Sequence, residues 1–487
     1  MTAARLLSLA PLQLAQAVVG FGALAAFTRL MSAEEFGRYA LALSLSMAAH
    51  TVLFTWAEAA AFRFFAAAQA GRRLADHFAT LIAVALVLGL VTLLVTGFIL
   101  TRAGFGADVN ALAAFAAGAA MLRFITKLGR ESDRAALAFT RYALLETAYL
   151  AIGFAAGIAF LTVYDLGAAA PFAGLALGGA VIALIDAPRL YAQAKGGFAT
   201  FTRGRRYASY GAPLAMALAV DLGVQAIARI ILADQASSAS LGAYAAAFGL
   251  ARPLDLIFIG LSAAFAPLVF AAYEGKGPDE ARDVARKAFA ALAALTLPAC
   301  VGLALVAEPL AALMIGESLR AEAALALPWL ALAGLFSGFT LYYWSEAFQL
   351  TQRTGLRALL MLAPGGVQLG ATLLLAPSQG AVGAAIAAAA GAVLGFALLA
   401  LIGRGLIALP IPVGALARAV AATGIMAAGI AALPDGASLA AKVGTGASVY
   451  ALAAIALDIF GARARVSAVL QAVVRRVRLS QPLHGSK

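Results

Sequence analysis

The sequence predicts an all-α polytopic membrane protein of about fourteen transmembrane helices, an expectation that rests on three observations. Of its 487 residues, 63% are hydrophobic and only 12% charged. Mean hydropathy is +0.94. Apolar stretches of the roughly 20 residues that a helix needs to span hydrocarbon recur from Pro11 to Phe460 with only short polar interruptions. Such a chain meets lipid along most of its length.

The spans fall near 10–28, 41–61, 78–100, 107–125, 142–163, 170–188, 208–233, 244–270, 288–314, 324–346, 356–376, 381–403, 416–433 and 440–459. The start resembles a secretory leader, with Arg5, an apolar run and Ala-Gln-Ala, but the apolar run continues to Phe27. A retained first helix is therefore expected.

The formal charge is +12, which in a soluble protein would point to nucleic acid. Here topology explains it, and no nucleic-acid partner is expected. With the N-terminus inside, 28 of the 35 basic residues fall on the inner side and 5 on the outer, while Arg229 and Arg252 lie within spans. That bias places both termini in the cytoplasm and the chain in a bacterial inner membrane.

Gly37-Arg38-Tyr39-Ala40 opens the second span and Gly242-Ala243-Tyr244-Ala245 the eighth. Six helices separate the copies, so both enter the bilayer from the same side, as two pseudo-symmetric six-helix lobes would require. The lobes are expected at 1–200 and 201–405, followed by two additional transmembrane helices in 406–460 and a basic cytoplasmic amphipathic tail in 461–487. In that tail Val466, Val469, Leu470, Val473 and Val477 share a helical stripe near Arg475, Arg476 and Arg478. Anionic membrane lipids are its expected partner.

Catalytic motifs are missing. The chain has no phosphate-cradling Gly-x-x-x-x-Gly-Lys-Ser/Thr loop, no His-Glu-x-x-His and no Gly-x-Ser-x-Gly elbow. Its one cysteine, Cys300, excludes an intramolecular disulfide. No catalytic residue, metal or cofactor is expected, and the outer connections Leu166–Ala169 and Pro377–Gly380 leave no platform for an enzymatic domain.

Ionisable groups inside spans are the candidates for function, because hydrocarbon penalises them unless they face a cavity or a partner. Asp221, Gln225 and Arg229 recur every four residues as one polar stripe on the seventh span. They face either a transport cavity or one another. Arg252 and Asp255 flank Pro253 near the middle of the eighth span, where proline opens the helical hydrogen bonding. They are an anion site or a mutually neutralised pair. Glu346 and Gln349 lie one turn apart beside Tyr342, Tyr343 and Trp344, whose rings either stack on sugars or form an interfacial belt. His50 and Glu58 share a face of the second span as candidates to carry protons or a cation, or as an interfacial ion pair with Arg63.

Taken together, Thr28-Arg29-Leu30-Met31-Ser32-Ala33-Glu34-Glu35-Phe36-Gly37-Arg38-Tyr39-Ala40, Leu241-Gly242-Ala243-Tyr244-Ala245, Leu297-Pro298, Val301-Gly302-Leu303 and Gln379-Gly380-Ala381-Val382-Gly383 resemble the Wzx-like O-antigen and exopolysaccharide flippases. These belong to the multidrug, oligosaccharidyl-lipid and polysaccharide exporter (MOP) superfamily. The resemblance implies a two-lobed helical core that alternates access, with a basic cavity for the anionic head of a polyprenyl-diphosphate-linked oligosaccharide. It also implies contact with other polysaccharide-assembly membrane proteins. Drug-exporting relatives place an acid in the first helix, and Ala10 to Thr28 has none. The alternatives are a cation-coupled drug or small-molecule exporter and a membrane-embedded polysaccharide polymerase or ligase. A phosphatase fused to the C-terminus is expected to be inactive in cells, and an active fusion would overturn the topology.

Overall fold

The computed structural model describes residues 10–102, 106–434, 436–461 and 463. The tail stripe from Val466 to Val477 lies outside the described residues. Among the described residues the regular structure is helical and contains no strand.

The chain runs through α1 (Ala10–Leu30), α2 (Ala33–Leu53), α3 (Thr55–Ala70), α4 (Leu74–Arg102), α5 (Ala107–Ala135), α6 (Phe139–Thr162) and α7 (Ala170–Ala194). It continues through α8 (Phe201–Gln235), α9 (Ser238–Ala251), α10 (Pro253–Lys276), α11 (Pro278–Leu305), α12 (Ala307–Met314) and α13 (Glu317–Phe339). A π-helical turn, Thr340–Trp344, leads to α14 (Ser345–Leu350) and α15 (Thr354–Leu360). The last three helices are α16 (Leu362–Gly403), α17 (Val413–Ala431) and α18 (Leu439–Ala456).

Among the described residues, 11 segments are long and apolar enough to cross a membrane, or up to 12 with the α2–α3 pair, which bends by 47°, counted as one span. That count takes Thr354–Gly403 as one segment. The stretches expected at 356–376 and 381–403 are two helical arms that turn at Gly380 and pack back on each other, with Gly391 against the Pro364 carbonyl and Gln368, and Gly383 against Leu375. Gly380 makes the turn between them at φ +51°, ψ −129°. A positive φ suits glycine, and the backbone donor it frees needs an acceptor. The acceptor is Glu322 Oε1, which takes the Ala381 N–H at 2.6 Å.

The chain divides into two compact units. One comprises the residues up to Gly249 with Met314–Glu322 and Thr372–Ala384, and the other Leu250–Leu313, Ala323–Ala371 and the residues from Ala385 on.

In the first unit, small residues let helices approach closely, since lipid supplies no hydrophobic drive for helix association. Gly153 and Gly157 of α6 face Gly174 and Gly178 of α7, and a methyl on Gly178 would stand 2.8 Å from the Tyr149 carbonyl oxygen. A capping box starts α2: Glu35 N–H donates to Ser32 Oγ at 3.2 Å, and Ser32 N–H to Glu35 Oε2 at 2.9 Å. This cap leads directly into the first of the two repeated motifs. A methyl on Gly37 would collide with the Ser238 carbonyl. A methyl on Gly242 would stand 2.9 Å from the Ala33 carbonyl oxygen and 3.2 Å from the Gly37 nitrogen. The two motifs meet backbone against backbone.

The core of the second unit is aromatic. Phe289 packs on Phe339 and Tyr343 with ring centroids 5.0 Å apart, and Trp344 packs on Phe396 at 5.8 Å. The Tyr343 hydroxyl donates to the Pro410 carbonyl at 2.6 Å, and the half-buried Tyr450 hydroxyl to the Ala294 carbonyl, so both phenols are satisfied.

Gly37→Ala is expected to destabilise the protein by about 1–3 kcal/mol through overpacking. Gly118→Ala, where nothing lies within 4 Å of an added methyl, is expected to be neutral or slightly stabilising. Thermal unfolding of the two purified variants in detergent measures the contrast.

Candidate functional site

The helix that carries the fourth expected span does not end near 125. α5 continues to Ala135 and buries Arg130, Glu131, Ser132 and Asp133. Arg130, which charge counting assigns to a cytoplasmic loop, therefore lies inside helix packing. Arg123, Lys127, Arg130 and Arg134 are spaced by four, three and four residues and form one helical face.

Three of these cations meet a carboxylate. Lys127 Nζ donates to Glu58 Oε2 at 2.6 Å, Arg130 pairs with Glu146, and Arg134 pairs with Glu131 at 3.0 Å. Arg130, 1% exposed, also donates to Thr126 Oγ1 at 3.0 Å and lies 5.0 Å from the Tyr149 ring centre. Burying a guanidinium demands this many partners. Arg123 has no carboxylate partner among the described residues. Nearby, Asp133 pairs with Arg141 at 3.2 Å and with Arg189, and Arg141 also reaches Asp186. Arg203 ties α8 to Asp76 of α4 at 3.0 Å, and His77 bonds the Tyr207 hydroxyl.

Arg123, Lys127, His50 and Tyr149 line a cavity of about 210 Å³ within the first unit, with Ser46 and Thr51. His50 and Glu58, on either side of the α2–α3 bend, are 2.8 Å apart. Glu58 is 3% exposed and is held by His50 and Lys127, not by Arg63. The polar lining of the cavity is cationic and suits an anion. Its volume is below the 300–1,000 Å³ of sites that enclose drug-sized ligands.

The other sequence candidates are dispersed. Arg229 donates to Ser44 Oγ and stacks 5.2 Å from the centre of the Phe248 ring, so it reaches α2 and α9 and not along its own stripe. Gln225 is half-buried on α8. The side chain of Asp221 lies outside the described residues. Arg252 is exposed at the break between α9 and α10, Asp255 occupies the first turn of α10, and no ion pair joins them among the described residues. Glu346 is 5% exposed with Oε2 lacking a hydrogen-bond partner, whereas Gln349 is exposed. Tyr343 and Trp344 are buried in the aromatic core. Among the described residues no cluster of three or more His, Cys, Asp or Glu residues can hold a metal.

These helices make the fold of MOP-superfamily flippases and transporters. A lipid II flippase in an inward closed conformation matches with a TM-score of 0.73 at 14% identity, over 92% of this chain and 98% of that one. An inward-facing multidrug resistance MATE family transporter of the MOP superfamily matches with a TM-score of 0.66 at 14% identity, over 80% of this chain and 94% of that one. An outward-facing one reaches 0.54 at 17% identity, over 83% and 93%. No curated protein sequence matches the chain. The profile of the polysaccharide biosynthesis protein family matches residues 26–322, and the chain belongs to that family.

Arg130→Leu is expected to lower stability by about 3 kcal/mol, because it strands Glu146 without its cation. Adding Glu146→Leu should recover most of the loss. Equal unfolding temperatures for the single and double variants would show that the pair is not what holds α5 to α6.

Proposed function

We propose that the chain flips an undecaprenyl-diphosphate-linked oligosaccharide, an O-antigen or exopolysaccharide repeat unit, from the cytoplasmic to the periplasmic leaflet by alternating access. Arg123 is the observation that carries this reading. It is a cation without a carboxylate partner among the described residues, and it lines a cavity beside Lys127 and His50. A diphosphate leaves water only where charge-assisted hydrogen bonds replace its hydration. Guanidinium supplies these in the bidentate geometry that phosphate oxygens accept. The inside-negative potential adds about 2.3 kcal/mol per charge per 100 mV in the outward direction. Membership of the polysaccharide biosynthesis family supports the class of substrate.

The exposed guanidinium of Arg252, beside Pro253 in the second unit, is proposed as a further contact for the head. Arg229, Gln225, Asp221, Glu346 and Gln349 remain candidates for contact with the rest of the substrate. The proposed topology keeps fourteen spans in an inner membrane with both termini cytoplasmic. It takes α1 as the first span, α2–α3 as one bent span, and the two arms of α16 as separate spans. A cation-coupled drug exporter is the second reading, favoured by the fold shared with MATE transporters but opposed by the cationic lining.

Arg123→Ala should slow the movement of a labelled polyprenyl-diphospho-oligosaccharide across proteoliposomes by tenfold or more, the scale of a lost charge-assisted hydrogen bond. Arg123→Lys should restore part of the rate. Arg252→Ala should abolish polymer export at near-normal abundance, and a parallel loss of abundance would mark Arg252 as structural. Wild-type rates in both alanine variants would remove the site assignment. Extrusion of a cationic dye, without movement of the lipid-linked sugar, would establish the second reading.

A further inference from the structure

The two groups that hold the Glu58 carboxylate are also groups that line the cavity. His50 Nε2 lies 2.8 Å from Oε1 and Lys127 Nζ lies 2.6 Å from Oε2. Both residues face the cavity, while Glu58 itself does not line it. The Lys127 side chain is 31% exposed against 4% for Glu58, so the ammonium is accessible and the carboxylate is not.

Resting on the transport reading above, we infer that a diphosphate entering this cavity competes with Glu58 for Lys127, and that Glu58 takes up a proton as it loses that partner. The ionisable surroundings of Glu58 are few. α2 contributes His50, and α5 contributes Lys127 together with Glu131, which is already paired with Arg134. α8 turns Tyr207 and Arg206 onto Phe64, and α4 presents His77 to Tyr207. Among the described residues no second lysine or arginine pairs with Glu58.

A carboxylate buried to this extent and left with His50 as its one hydrogen-bonding partner is less costly in its protonated state. Lys127 keeps its own proton and turns its ammonium from the Glu58 oxygen to a phosphate oxygen on its flexible four-carbon stem. The proton that neutralises Glu58 comes from water. The acid that results remains a hydrogen-bonding partner for His50. Because His50 and Glu58 sit on opposite sides of the α2–α3 bend, the exchange acts across that bend. Anion binding and proton uptake are then linked. Affinity for the diphosphate rises as pH falls, by at most about tenfold per unit where Glu58 is ionised in the empty protein.

Calorimetric titration of the full-length purified protein with geranyl diphosphate near neutral pH, in two buffers of different ionisation enthalpy, measures the proton directly. Uptake of about one proton per ligand is expected. A diphosphate held by cations releases protons of its own, so the sign of the exchange separates Glu58 from the ligand. Glu58→Gln should bind at least as tightly, with no uptake and with affinity flat in pH. Wild-type binding without uptake overturns the inference, as does uptake that survives Glu58→Gln. If that variant does not fold, the comparison of buffers in the wild type decides alone. Absence of geranyl diphosphate binding by the wild type would overturn the transport reading and this inference together. Binding that Arg123→Ala abolishes, but that takes up no proton, would overturn the inference alone.

Discussion

A charge packed between helices and away from water must bring its counter-charge with it, and the first unit is arranged around that constraint. Lys127 meets Glu58, Arg130 meets Glu146 and the Tyr149 face, and Arg141 and Arg189 share Asp133. Each pair joins two helices, so the electrostatic requirement also sets which helices are neighbours. An isolated surface pair contributes little to stability. A buried pair is worth more as a constraint, because removing either member leaves a charge that hydrocarbon does not tolerate. Arg123, which has no carboxylate of its own among the described residues, stands out against this background.

Helix contacts that carry no charge depend on the absence of side chains. The glycine pairs of α6 and α7 bring the two backbones together behind Tyr149, one wall of the cavity. The approach of Gly37 and Gly242 does the same for α2 and α9, whose Ser44 and Phe248 receive the Arg229 guanidinium. Close packing by small residues thus fixes the frame, and the long cationic side chains fill the spaces that the frame leaves.

Much of this frame was legible in the sequence, because a lipid-facing helix such as α4 advertises itself by an unbroken apolar run with Leu86, Leu90 and Leu93 exposed. The repeated Gly-x-Tyr-Ala motif was read as the sign of two related lobes, and the packing of its two copies against each other came only from the structure. The cationic face of α5 was not legible by hydropathy, which treats Arg130 and Asp133 as solvated charges and ends the span before them. The spacing of Arg123, Lys127, Arg130 and Arg134 was available as a signal, but only the carboxylates of α3 and α6, distant in sequence, make burial possible. The Arg252 and Asp255 spacing was read as a pair because i and i+3 are neighbours on a regular helix. The structure keeps Arg252 in a helical conformation but exposes its side chain and forms no such pair among the described residues. His50 and Glu58 were found together as their spacing implied, although a bend lies between them and Lys127 is the partner that spacing alone does not disclose.

The kink of α16 is specified from outside its own sequence. Gly380 permits the turn, but the acceptor that satisfies the Ala381 N–H belongs to Glu322 at the start of α13. Each residue added to a helix rotates everything beyond it by about 100°. One inserted residue on either side of Gly380 would therefore leave the break anchored to Glu322 while turning an entire arm of α16 onto the wrong face. The length of each arm is in this sense part of the design, as strictly as the identity of any side chain along it.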